Sequence, residues 1–367
     1  MTVLVILALV GATSCETQPD ATRSEQKDGV SEAPARLRFQ VVRSILEDSR
    51  GNFWFGSWSE GVCRFDGQKY TYFTVEDGLC DNQIRSIQED QDGVVWFGGG
   101  VGISGFAGDR IISRTSVDYT SRDKWRLREG DLWFKEDGSV GATAIEGHPG
   151  VYRYDGRTFT YLDLPLSADP LLAFSDREVV TAHAVTGIAK GRSGRLWFAT
   201  YSEVVGYDGK SFTIIDDESL GLTEDTGRLH VRSVLEDSKG NLWIGNNGIG
   251  VLLHDGHTTI SFTQEKGLGR MDHRVGRMKA LPDDVTDGSP SLHRVFSMGE
   301  DRSGNIWFGT IEHGAWRYDG KTLRNFGAED GLTSKEIQAI YTDRRGDLWL
   351  AGSGVFKFNG ASFDRIH

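Results

Sequence analysis

The chain is poor in proline and cysteine, with 7 and 3 residues among 367. So few cysteines, with no CxxC pair and no His/Cys ligand spacing, exclude a disulfide-stapled scaffold and give no zinc-finger or redox signature. Whether Cys63 and Cys80 pair is left open by their spacing. No cluster of Lys or Arg relieves a formal charge of −12, which argues against nucleic acid and acidic membrane surfaces as partners, since both demand concentrated positive charge. No apolar run approaches the ~18 residues of a membrane-spanning helix, and no long stripe of 3.6-residue period favours a helical fold. GxSxG, HExxH and P-loop strings are missing too, so the common nucleophile, zinc and phosphate signatures are not there. An enzyme is therefore the less favoured reading, and no cofactor is expected.

What the chain holds in quantity is glycine (47) and aromatic side chains (11%, with 10 Trp). That mixture suits short aromatic strands joined by many tight turns, an all-β composition. The N-terminal stretch MTVLVILALVGATSC reads as an export signal over residues 1–14, and its ATSC resembles a bacterial lipobox that would leave Cys15 as a lipid-carrying N-terminus. Residues 15–37 are polar and charged, too poor in apolar groups to fold alone, and read as a disordered tether. The expected location is the periplasm or the outer membrane of a bacterium, with membrane contact only through the lipid.

From residue 38 onward the chain is periodic. Trp54, Trp96, Trp133, Trp197, Trp243, Trp307 and Trp349 mark a unit of roughly 40 residues, broken every few residues by turn signals, as in a propeller blade. The first unit divides into strand A (VRSILED), a turn, strand B (NFWFGS), a loop, strand C (VCRFD) and strand D (KYTYFT). Asp66-Gly67, Asp155-Gly156, Asp208-Gly209, Asp255-Gly256, Asp319-Gly320 and Asn359-Gly360 stand where strands C and D must reverse, a place that favours residues tolerant of positive φ. The expectation is a seven-bladed β-propeller of four-stranded antiparallel blades over residues 38–367. Because the first unit has its own strand A and the last ends in full C and D strands, the ring should close without a borrowed strand.

VRSILEDSRGNFWFG, VRSVLEDSKGNLWIG and GEDRSGNIWFGT, in units one, five and six, resemble the two-component regulator propeller repeat. Unit three, around Trp133, resembles it least, since its strand A is hard to place. The resemblance implies a propeller of the kind found in the sensor regions of bacterial hybrid histidine kinases and in stand-alone exported proteins. The expectation is a stand-alone propeller with no kinase attached, so that signalling would require a sensor kinase on a separate chain. Function follows from such a likeness only by analogy.

Two motifs are tempting as sites. Asp90-Gln91-Asp92-Gly93 begins like a calcium loop but lacks a Glu at the twelfth place, and its counterparts in other units are plain turns. Gly100-Val101-Gly102-Ile103-Ser104-Gly105 satisfies GxGxxG, yet a strand rather than a helix follows it, so no helix N-terminus waits for a pyrophosphate.

The turns from A to B and from C to D are short and alike, whereas every long departure from the period falls on the other end of the blades, called the top. Variable loops on a rigid scaffold are where recognition usually resides. The loops between B and C there supply Trp58, Glu60, Tyr201, Glu203, Asn246, Asn247, Glu312 and His313, a mixture suited to a carbohydrate, a peptide or an envelope protein. Arg43, Arg85 and Arg232 share one position near the top of strand A. They would either face an anion in the channel or pair with acids of the next blade. His183, His230 and His293 lie just before strand A and form an alternative metal set, for which the streptogramin lyases offer a likeness: propellers with similar DGxxWF repeats and a metal-assisted His/Glu site on the top face. A lyase or hydrolase is thus the alternative to a binding module.

Overall fold

A computed structural model describes residues 36–114, 117–120, 125–135, 150–165, 184–191, 193–223, 227–268 and 290–366. The expected signal, Cys15, most of the tether and His183 lie outside them. Seven four-stranded sheets follow one another along the chain, in residues 42–73, 84–114, 117–163, 185–215, 231–261, 295–326 and 337–365. In six of them the strands run A-B-C-D as antiparallel neighbours. The six Asp-Gly or Asn-Gly turns form as expected, with Gly67, Gly156, Gly209, Gly256, Gly320 and Gly360 at φ between 91° and 101°.

The strand-B tryptophans are all buried, and each fills the seam toward the following blade. Trp54 packs on Phe97 and Phe106 of blade two, and Trp307 on Phe358 and Phe363 of blade seven. Trp349 of blade seven meets Phe53 of blade one with ring centroids 4.7 Å apart, which closes the circle. Closure needs no borrowed strand: Leu37 and Phe39 tuck into the same seam as apolar plugs.

The Glu-Asp pair at the end of strand A, replaced by Thr342-Asp343 in blade seven, has two separate jobs. In blades one, two, five, six and seven the Asp (Asp48, Asp90, Asp237, Asp301, Asp343) accepts a hydrogen bond from the indole Nε1 of its own blade's Trp at 2.7–2.8 Å. Its other oxygen accepts backbone N–H groups of the turn, as Asp48 does from Arg50 and Asn52. The Glu reaches the turn of the preceding blade: Glu89 accepts from the Ser49 N–H at 2.7 Å, Glu300 from Ser238 at 2.8 Å, and Glu47 from Arg344 of blade seven at 2.8 Å. Blade four has Gly191 in place of the Asp, and Glu236 of blade five does both tasks, accepting from Trp197 Nε1 at 2.7 Å and from Ser193 Oγ at 3.1 Å. The calcium-like Asp90 is occupied in the same way, its oxygens accepting from Asp92, Val94 and Trp96.

Blade three departs from the pattern. Its sheet runs Leu132–Lys135, Gly150–Tyr154, Phe159–Asp163, then Val117–Thr120, which pairs with Phe159–Asp163 in parallel. The Trp-bearing strand is therefore innermost, no strand A precedes it among the described residues, and the fourth strand lies on the outer edge. A strand that loses its inner neighbour exposes backbone groups that need partners. Gln88, on strand A of blade two, supplies one: its amide Nε2 donates to the Trp133 carbonyl at 2.6 Å, and its Oε1 faces the Trp133 N–H at 3.5 Å. At the matching place in other blades stand Leu46, Leu235 and Tyr341. Cys63 and Cys80 are thiols and are not joined in a disulfide, and burial pushes the Cys63 thiol up to about 12.

Candidate functional site

The B to C loops and the connections into strand A lie side by side at one end of the ring. Backbone bonds tie them, such as Trp58 N to Val41 O at 3.1 Å, Asn247 N to His230 O at 2.9 Å and Gly248 N to His293 O at 2.7 Å. A residue just before strand A and one just after strand B are thus forced to be neighbours, within a blade and across the seam to the blade before.

On blades four to six this brings a set of functional side chains together. Arg232 carries its guanidinium carbon 4.2 Å from the Phe296 ring centre and 5.3 Å from that of Tyr201, whose hydroxyl accepts from Arg232 Nη1 at 2.9 Å. His230 meets the Tyr201 ring edge to face at 4.8 Å. Burial, and then the charges of Arg232 and Arg294, push the His230 imidazole down to about 4, so it is neutral near pH 7. Arg294 donates through Nε to Asn247 Oδ1 at 2.8 Å and through Nη1 to Glu312 Oε1 at 2.5 Å. The second oxygen of Glu312 faces two imidazoles, 3.7 Å from His293 Nε2 and 3.9 Å from His313 Nε2. Burial, ahead of the opposing pull of Glu312, holds His313 below the usual imidazole range.

The other expected residues are placed differently. Trp58 is 46% exposed and lies under Arg43, whose guanidinium carbon is 4.1 Å from the ring centre. Glu60 accepts from the Gln40 N–H at 2.8 Å, and Arg85 Nε donates to Gln83 Oε1 at 2.6 Å. Glu203 and Asn246, expected on the loop surface, are both fully buried. The Asn246 amide is taken up by backbone, donating to Ile244 and Gly250 carbonyls and accepting from the His230 N–H, so it pins the loop instead of presenting itself to a ligand. His230 and His293 do not share a cluster: His293 joins Glu312 and His313, while His230 faces Tyr201. The histidines sit one place apart in register, and that single residue turns the two rings toward different neighbours. Arg294 was not anticipated from the sequence. Its signal was its place beside His293, directly ahead of strand A.

A closed ring of seven repeat-built sheets with one decorated rim is a propeller scaffold that presents side chains at its top. The two component regulator propeller model matches residues 36–59, 78–100, 227–248, 289–312 and 331–354, which fall on blades one, two, five, six and seven. Five of the seven blades thus carry the two component regulator propeller repeat. Among solved structures it is similar to the extracellular domain of the hybrid two component system BT3049 from B. thetaiotaomicron, at 20% identity and a TM-score of 0.57 over 88% of this chain and 39% of that one. The extracellular domain of BT4673 from the same organism gives 20% and 0.57 over 92% and 38%. The chain thus spans about two-fifths of the length of those structures, and the likeness shows the fold. Virginiamycin B lyase from Staphylococcus aureus lies further off, at 13% identity and a TM-score of 0.45 over 90% of this chain and 86% of that one, too distant to argue for shared chemistry. No curated protein matches the sequence. No helix among the described residues is long and apolar enough to cross a membrane.

Proposed function

We propose that the chain is an exported, sensor-like recognition propeller that binds a glycan, a peptide or an envelope partner through its top rim. The observation that carries the reading is the guanidinium of Arg232 held between Tyr201 and Phe296, with contributions from three successive blades. Arg232 and Phe296 on two strands, with Tyr201 directly after a third, fix a cation and two aromatic faces before binding, which keeps the entropic cost of association low. A ring face of a sugar or an aromatic peptide side chain would stack there while a carboxylate meets the guanidinium. Export through the N-terminal signal with a lipid anchor at Cys15, and transfer of the bound signal to a separate sensor kinase, complete this reading; both rest on the sequence and the family resemblance.

The test is a screen of the purified chain against an oligosaccharide array and a peptide library, repeated with Tyr201→Ala, Arg232→Ala and Trp58→Ala. Ligands found with the native chain should weaken at least tenfold with the first two changes. His257→Ala, in a C to D turn at the opposite end, should leave them unchanged. Binding indifferent to Tyr201 and Arg232 would place the site elsewhere and defeat the proposal.

A further inference from the structure

His293, Glu312 and His313 each offer one donor atom, and the three lie within 4.8 Å of one another. Two come from adjacent places in the B to C loop of blade six, and the third from the connection that enters strand A of the same blade. From this geometry we infer a binding site for a divalent transition metal of the zinc type, with two imidazole nitrogens and one carboxylate oxygen as protein ligands and the remaining position open to an exchangeable oxygen donor. The inference does not depend on the ligand proposed above.

Three features support it. Around a tetrahedral ion with bonds of about 2.0–2.2 Å, neighbouring donors stand roughly 3.3–3.5 Å apart. The Glu312 to His293 and Glu312 to His313 separations of 3.7 and 3.9 Å need to shorten by only a few tenths of an ångström. The ligands are also held from behind, as metal ligands usually are. Ser291 Oγ bonds His293 Nδ1, which leaves Nε2 turned toward Glu312. Arg294 takes the Glu312 Oε1, itself fixed by Asn247, so Oε2 is the oxygen directed at the imidazoles. His313 is anchored by its backbone, its N–H donating to Thr310 Oγ1 at 2.9 Å and its carbonyl accepting from Asn325 Nδ2 at 2.8 Å. Finally, the donor set selects the ion: two imidazoles with one carboxylate suit zinc or a neighbouring transition metal and are a poor set for calcium or magnesium, which prefer oxygen throughout. Glu312 is the most exposed of the three, with its side chain 39% accessible, so the open position faces solvent at the rim.

The experiment uses the full chain, stripped with a chelator, dialysed, and titrated with zinc chloride by calorimetry, with cobalt as a visible-absorbing substitute. One ion per chain is expected, with the absorption bands of low-coordinate cobalt and a melting temperature that rises by several degrees when zinc is in hundredfold excess over Kd. His313→Ala and Glu312→Gln, both in the loop, should weaken binding at least tenfold and abolish the thermal shift. His293→Ala should do the same, and if that buried change unfolds the chain, the two loop variants decide. His257→Ala is the control and should bind as the native chain does. Failure of the native chain to bind zinc or cobalt, or undiminished binding in His313→Ala and Glu312→Gln, would overturn the inference. Ligand recognition unaffected by chelator would leave the proposed function standing apart from it.

Discussion

Blade four offers a test of the idea that a carboxylate on the strand-B indole is a required part of each ordinary blade. Gly191 stands where the other blades have Asp, yet its turn has the same backbone bonds: Gly191 N to Arg195 O and Gly194 N to Gly191 O match Asp48 N to Asn52 O and Gly51 N to Asp48 O. Removing the borrowed acceptor with Glu236→Ala leaves the Nε1 of Trp197, a residue only 4% exposed, without its partner. Loss of a charged acceptor to a buried donor costs about 2 kcal/mol. Gly191→Asp alone should also destabilise, because a Cβ there would lie 2.6 Å from Glu236 Oε1 and nearer still to its other carboxylate atoms. Two carboxylates would then crowd one indole, at a cost of about 1–2 kcal/mol. Together the two changes rebuild the arrangement of blade one, placing the new carboxylate as far ahead of Trp197 in sequence as Asp48 is ahead of Trp54. The double variant should come within about 1 kcal/mol of the native chain, an interaction energy of at least ~2 kcal/mol between sites in contact. Urea midpoints measured for all four proteins at one temperature give the cycle, provided the slopes stay equal. If the double variant is destabilised by the sum of the singles or more, the carboxylate is not the transferable element and the account of the Glu-Asp pair fails.

Gln88→Leu should cost blade three about 1–2 kcal/mol, since the Trp133 carbonyl loses its partner beside a strand with no inner neighbour among the described residues; hydrogen exchange that is faster in blade three than in blade six would locate the effect, and equal exchange would contradict it. His230, with its imidazole lowered from 6.5 to about 4, gives stability that is whole above pH 6.5 and drains away as pH falls toward 4, by about 2.5 kcal/mol at pH 4.5. His230→Phe, which keeps a ring against Tyr201, should flatten the fall in urea midpoint between pH 7.5 and 4.5, and a fall as steep as in the native chain would show that other groups carry it.

The repeat made the ring legible before any coordinates, because Trp at near-constant spacing and Asp-Gly turns are local features that each unit must satisfy for itself. The division of labour in the Glu-Asp pair was not legible. Asp48 reads as a turn former from its neighbours alone, and only the packing of blade against blade shows that Glu47 serves the turn of blade seven while Asp48 holds Trp54. Blade three was marked as irregular because its strand A is hard to place in the sequence. Its outer parallel strand could not be foreseen, since Val117–Thr120 precedes in sequence the strands it flanks. The rim residues were found as a set and misjudged one by one. Asn246 and Glu203 look polar and loop-borne, but a B to C loop buries whatever sits at its closing positions. The His293, Glu312 and His313 group was hidden by comparing like with like around the axis, whereas the neighbours that matter lie within one blade, where loop and incoming connection meet.

The irregularities themselves bear on function. A propeller of seven equal blades presents seven equal rim positions, which suits a symmetric guest or none. Here the second place of strand A reads Arg43, Arg85, Thr186, Arg232, Phe296 and Gln338 around the ring, and blade three shows no strand A among the described residues to supply a seventh. The Thr186 hydroxyl is taken up by backbone, donating to the Val231 carbonyl at 2.8 Å with the Ala199 carbonyl at 3.2 Å. Blades five and six then carry a cation and an aromatic ring in contact, with Tyr201 added from the loop of blade four. The scaffold bonds repeat while the rim does not, and the Arg kept at this place in blades one, two and five meets, in blade five, aromatic rings from both neighbouring blades. On the proposed function, the contact of Tyr201, Arg232 and Phe296 across blades four to six would give an asymmetric ligand one preferred orientation at the rim.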